Sequence, residues 1–128
     1  MRARRKQSGY TLIELIIVAV IVAILSTISL ATYADLQDEA KRGAAQGVAG
    51  ALGSASVANY MLRAGKGPAG TTAIADCVDV AALLTPGSLD SFVIASKAIT
   101  SGGTETCTID HVKPGANTAV TFTAHGIS

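Results

Sequence analysis

Tryptophan is absent from this sequence, and its aromatic residues amount to three tyrosines and two phenylalanines in 128 residues. So sparse a set argues against the stacking platforms that hold single-stranded nucleic acid, and no direct nucleic-acid site is evident. Charge is scarce too, at 15% of residues against 49% apolar, an oily balance for a chain of one domain's length. Proline first occurs at Pro68, so nothing before it forbids a long helix. The two cysteines, Cys77 and Cys107, show no C-x-x-C or cysteine–histidine spacing that would suggest zinc. His111 and His125 have no neighbouring ligand set and read as surface or strand histidines. No phosphate loop of the form G-x-x-x-x-G-K-[ST] occurs, since Gly65-Lys66-Gly67 lacks the spacing, and Ser8-Gly9 is not a nucleophile elbow. With no carboxylate pair in an acid–base context either, the chain reads as a non-enzyme without a metal or cofactor.

What is present is concentrated at the front. Arg2, Arg4, Arg5 and Lys6 precede Gly9 with no acid among them, leaving six of the ten basic residues against all nine acids in the remainder. An apolar run follows, from Tyr10 to Ala31, about 22 residues and long enough to span a bilayer as a helix at ~1.5 Å per residue. A cationic head before such a run reads as a cytoplasmic anchor under the positive-inside rule, and it is too small and too early for a nucleic-acid patch. An ordinary secretory signal has a shorter apolar core and a small-residue cleavage site after it, and neither fits. A plain single-pass anchor fits the length and the flank, but it gives no reason for Glu14. A charged side chain at mid-bilayer costs about 2.5 to 3.5 kcal/mol even on lenient insertion scales, so Glu14 needs a partner or a task. If the run carries the rest of the chain across a membrane, both thiols reach an oxidising compartment. An even count there favours one disulfide closing a loop of about 30 residues, two unpaired buried thiols being the alternative.

The string Gly9-Tyr10-Thr11-Leu12-Ile13-Glu14-Leu15, with its basic leader and its apolar continuation, resembles the class III signal of type IV prepilins and the related pseudopilins. The resemblance covers about the first 40 residues; beyond them only the general plan is similar, a long helix, a small sheet and a C-terminal disulfide region. It implies that prepilin peptidase cuts between Gly9 and Tyr10 on the cytoplasmic side and methylates the new amine of Tyr10. It further implies that the apolar run anchors the subunit in the inner membrane, with the globular part periplasmic, and later becomes the core of an extracellular filament. Implied partners are copies of the same chain, the peptidase, the assembly machinery and, before assembly, membrane lipid. Glycine has no side chain to obstruct a protease at the scissile bond. The released α-amine, with a reference pKa near 7.7 to 8.0, is mostly charged at neutral pH, and methylation keeps the charge. Glu14 then acquires a candidate partner, the Tyr10 amine of a neighbouring chain, in a pair that sets helix register more than net stability. The alternative is a carboxylate snorkelling at the helix start, where the dipole favours it. Pilins that carry a glycine and a proline in the membrane helix loosen between them; the corresponding places here are Ala23 and Ala31, which puts such melting in doubt, although Ser26, Thr27 and Ser29 could bend the segment by bonding back to carbonyls.

Residues 10–31 are thus read as a transmembrane and filament-core helix after a leader at 1–9, residues 32–64 as its amphipathic continuation, and 65–128 as a small globular region. The helix is predicted unbroken from Thr11 to Leu62, roughly 78 Å, ended by Arg63-Ala64-Gly65-Lys66-Gly67-Pro68. Asp38 and Arg42 stand at a spacing that permits a pair. Ala44, Val48, Ala51, Leu52, Ala55, Ala58, Met61 and Leu62 recur as a stripe that would lie on a sheet. Gly43, Gly47, Gly50 and Gly53 each cost a helix about 1 kcal/mol relative to alanine. They ask for close approach of another backbone, from the sheet or from a neighbouring subunit, the alternative being a tolerated weak helix or a break near Gly50. Asp76 is placed to cap a short helix through Leu84, stopped by Thr85-Pro86-Gly87. Three strand-like runs follow, Leu89 to Ser96, Thr104 to Val112 and Thr118 to Ala124, with Phe92 and Ile94, Cys107 and Ile109, and Val120 and Phe122 each on one face. The fold class is α+β, type IV pilin-like, with a three- to four-stranded antiparallel sheet packed on the second half of the long helix. The function implied is a structural subunit of a filament for adhesion, motility or DNA uptake, or else a pseudopilin of type II secretion; a simple bitopic membrane protein is a third reading.

Overall fold

The computed structural model describes residues 9–86 and 89–128. The basic leader charges at positions 2–6 and the helix stop at Gly87 lie outside them. One α-helix, α1, runs Leu12–Lys66, followed by a short 3-10 helix, Cys77–Leu83, and by strands β1 (Phe92–Ile94), β2 (Thr104–His111) and β3 (Val120–His125). The chain divides into two compact units, Met1–Leu36 and Gln37–Ser128, and α1 contributes to both. The α+β, pilin-like class holds: a long helix accompanies a three-stranded antiparallel sheet in the order β1-β2-β3.

α1 ends four residues later than the sequence reading placed it. Gly67, at φ 83°, supplies the left-handed residue, and its N–H donates to the Arg63 carbonyl at 2.9 Å, closing an αL cap just before Pro68. Gly65 remains within the helix. The strands are shorter than the runs that announce them. β1 begins only at Phe92 because Leu89 is in a turn, its carbonyl accepting from the Phe92 N–H at 2.9 Å. β3 begins at Val120 because Thr118 is used in the preceding turn, where its hydroxyl donates to Asp110 Oδ1 at 2.6 Å and accepts from the Gly115 N–H at 3.1 Å. Registers are Phe92 opposite His111 and Cys107 opposite Phe122. The inward faces follow the expected alternation, with Cys107, Ile109, Phe122 and Ala124 buried and Phe92, Ile94 and Val120 half-buried.

The core of the second unit gathers Ala49 and Leu52 from α1, Ile74, Cys77, Val80 and Ile99 from the connections, and Cys107, Ile109, Phe122 and Ala124 from the sheet. The helix face that enters it differs from the stripe read by hydrophobicity. Ala44, Ala51, Ala58, Met61 and Leu62 are exposed, while Ala45, Ala49, Leu52, Ser56 and Asn59 are buried. In an alanine-rich helix the apolar side chains differ too little to mark a face, and two polar residues lie on the buried one because their hydrogen bonds are satisfied there. Ser56 Oγ accepts from the His125 N–H at 2.8 Å. Asn59 donates to the Thr72 carbonyl at 2.7 Å and accepts from the Thr72 N–H at 2.9 Å, which fixes the loop after α1.

Two further expectations are corrected. Asp38 pairs with Lys41 at 3.3 Å in place of Arg42, and its other oxygen accepts from the Ala116 N–H at 2.9 Å across the sheet's second loop. A side chain at Gly115 would run into that carboxylate, which explains the glycine. Of Gly43, Gly47, Gly50 and Gly53, only Gly53 comes near another backbone, where an added Cβ would stand 3.8 Å from the Thr123 carbonyl; Gly43, Gly47 and Gly50 face open space within the chain, and the helix does not break at Gly50. Gly50 and Gly53 line an open groove of about 550 Å³ with Val120 to Thr123.

Candidate functional site

Gly9 and Tyr10 lie ahead of α1 in exposed, non-helical chain, and the Tyr10 side chain is 85% exposed. Thr11 is the cap. Its hydroxyl accepts from the Glu14 N–H at 3.3 Å, and Glu14 Oε2 in return accepts from the Thr11 N–H at 2.9 Å and from the Thr11 hydroxyl at 3.1 Å. This is a reciprocal capping box, which satisfies donors that a helix start otherwise leaves unpaired. The sequence reading missed it, although the Thr-x-x-Glu spacing at residues 11–14 is its signature. Glu14 therefore has a partner inside its own chain, and both bonds fall on one carboxylate oxygen. The Tyr10 backbone nitrogen is not a donor to Glu14 among the described residues.

From Leu12 to Leu36 every described large apolar side chain is exposed, each at least half, as at Leu25, 57%. This helix is long and apolar enough to cross a membrane. Ser26 and Thr27 donate back to the Val22 and Ile24 carbonyls at 2.7 and 2.8 Å, so their hydroxyls are satisfied within an apolar surround, and the backbone remains α-helical.

Residues 4–30 match the family model described as the prokaryotic N-terminal methylation motif. Over these residues the chain is similar to prepilin-type, type IV pilin-like proteins. The match takes in Arg4, Arg5 and Lys6, Gly9 and Tyr10, Glu14 and most of the apolar run, and together with the helix it points to membrane anchoring. The motif belongs to pilins and pseudopilins alike, families that are structural and not enzymatic, processed by prepilin peptidase and assembled into pilus-like filaments. No solved structure matches the chain.

The remaining candidate residues lie in the second unit of this pilin-like chain. Cys77, first residue of the 3-10 helix, and Cys107, in the middle of β2, are joined with a Cα–Cα distance of 5.7 Å, both fully buried. The 3-10 helix is held by its own capping box, in which Asp76 Oδ1 accepts from the Val78 N–H at 3.0 Å and Asp79 Oδ2 from the Asp76 N–H at 2.9 Å. The bond from the Val78 N–H, then those from Ser96 and Lys97, hold the Asp76 carboxyl below the usual carboxylate range. His111 Nδ1 accepts from the Lys113 N–H at 3.0 Å and meets Phe92 edge-on, and His125 rests against Tyr60. Among the described residues no group of three or more His, Cys, Asp or Glu could hold a metal ion.

Proposed function

We propose that this chain is the structural subunit of a type IV pilus-like surface filament, with no catalytic role of its own. One observation carries the reading: a methylation motif runs without a break into a helix whose apolar side chains find no cover in their own unit. Exposed apolar area of that extent is stable only in lipid or against other chains. In this reading prepilin peptidase cleaves between Gly9 and Tyr10, the Tyr10 amine is methylated, and the helix passes from the bilayer to the filament core. The charged amine of an incoming subunit then meets Glu14 of a neighbour. Glu14 Oε1 is the oxygen left for it, because the capping bonds occupy Oε2. A buried charge without a partner is costly, whereas the pair is tolerated and fixes the sliding position of one helix along the next. The disulfide favours a pilus subunit over a type II secretion pseudopilin.

Mass spectrometry of the mature N-terminus tests the processing: the expected chain starts at methylated Tyr10, and one starting at Met1 would overturn the reading. Glu14→Ala should leave insertion and cleavage intact and reduce filament yield; normal yield would remove the pairing step. Long surface fibres containing this chain support the pilus. Loss of secreted enzymes in a deletion strain, with fibres intact, would assign it to secretion instead.

A further inference from the structure

We propose that Asp76 is a positioning residue for closure of the Cys77–Cys107 bond, holding the Cys77 segment in place while both sulfurs are still thiols. The carboxylate reaches in two directions. On its own side Oδ1 caps the Val78 N–H. Across the fold the same oxygen accepts from the Lys97 N–H at 3.1 Å, and Oδ2 accepts from the Ser96 hydroxyl at 2.8 Å. Backbone bonds run alongside, from the Cys77 N–H to the Lys97 carbonyl at 3.0 Å and from the Ile99 N–H to the Ala75 carbonyl at 2.7 Å. The Lys97 ammonium is paired in turn with Glu105 on β2, two residues before Cys107. None of these contacts involves sulfur. Together they link the segment carrying Cys77 to the strand carrying Cys107 through residues 96–99, and the Asp76 side chain binds both Val78 and the 96–97 segment.

The chemistry needs an oxidant, taken here as a small-molecule or protein disulfide. The thiolate of one cysteine attacks that disulfide and expels one thiolate, and the second cysteine displaces the other to close the Cys77–Cys107 bond. Two electrons pass to the oxidant, and the two thiol protons end on the thiolates released. The second displacement depends on how often the two cysteines meet, which is the quantity Asp76 would raise. A carboxylate that accepts several hydrogen bonds remains ionised at neutral pH and makes them stronger than a neutral group would.

The test uses the full chain in detergent micelles, reduced and then equilibrated with mixtures of reduced and oxidised glutathione, with free thiols trapped by a maleimide and counted by mass. Asp76→Ala should lower the effective concentration of the cysteine pair roughly tenfold or more, and Ser96→Ala roughly two- to fivefold. Asp76→Asn, which keeps one acceptor oxygen, should fall between wild type and Asp76→Ala. Asp76→Ala should also lower the melting temperature more in the oxidised chain than in a Cys77→Ser, Cys107→Ser chain, because clasp and disulfide support each other. A purely structural cap would lower both melting temperatures equally and leave the effective concentration within twofold of wild type; that result overturns the proposal. Should Asp76→Ala fail to fold, Ser96→Ala decides, since an unchanged effective concentration there is equally fatal.

Discussion

Leu25 and Leu52 lie on the same helix in opposite circumstances. Leu25, in the first unit, is 57% exposed in the company of exposed isoleucines and valines; Leu52, in the second, is completely buried in a neighbourhood of alanine, serine and glycine. The oilier segment is the one its own unit leaves uncovered. The apolar side chains of residues 12–36 thus build no core within their own unit, whereas in residues 37–128 a few large side chains, a disulfide and satisfied polar groups do the folding. The contrast explains how 49% apolar composition coexists with so small a core.

Four measurements would sharpen or break that contrast. The largest effect should come from the second unit's covalent tie: Cys77→Ser with Cys107→Ser removes a closure spanning 30 residues and should cost about 3 to 4 kcal/mol in thermal or denaturant unfolding, with membrane insertion unchanged. Next, Leu52→Ala should cost about 3 kcal/mol and Leu25→Ala less than about 0.5 in the same unfolding transition. Equal losses would mean that the two regions are not different in kind. Third, Asn59→Ala should cost about 1 kcal/mol and raise amide exchange at Thr72, because it strands a half-buried N–H and carbonyl. The smallest effect is the acid limb. The Ala116 N–H first, then Lys41, depress the Asp38 carboxyl, and Lys97 depresses that of Glu105. A depressed carboxylate contributes stability above its unfolded pKa and loses it as pH falls through the folded one. Stability of the second unit should therefore be level down to about pH 5 and decline below about pH 4, with a shallower decline in Asp38→Asn.

Much of the fold was legible because its signals are local. The absence of proline before Pro68 and the period-two runs around Cys107 and Phe122 announce a long helix and an antiparallel sheet. The helix face was not legible, since alanines at 44, 45, 49, 51, 55 and 58 carry no directional contrast, and Ser56 and Asn59 look like solvent residues until their partners are known. At the candidate site, the Gly9-to-Leu15 string stands out in sequence because its residues are consecutive, so that order along the backbone is itself the signal. The Thr11–Glu14 capping box is equally readable from its Thr-x-x-Glu spacing, because both partners lie within one helical turn.

Sequence alone determined the anchor-like run, the presence of one long helix and the strand alternation, because each depends on neighbours within a few residues. Tertiary structure alone decided that Asp38 clasps the 115–116 turn, that Asn59 holds Thr72 and that Asp76 joins Cys77 to the 96–97 segment. Those contacts join residues between 13 and 78 positions apart. A hydrogen bond of that reach leaves no periodicity in the chain, since it depends on where packing brings two backbones together and not on what precedes or follows either residue.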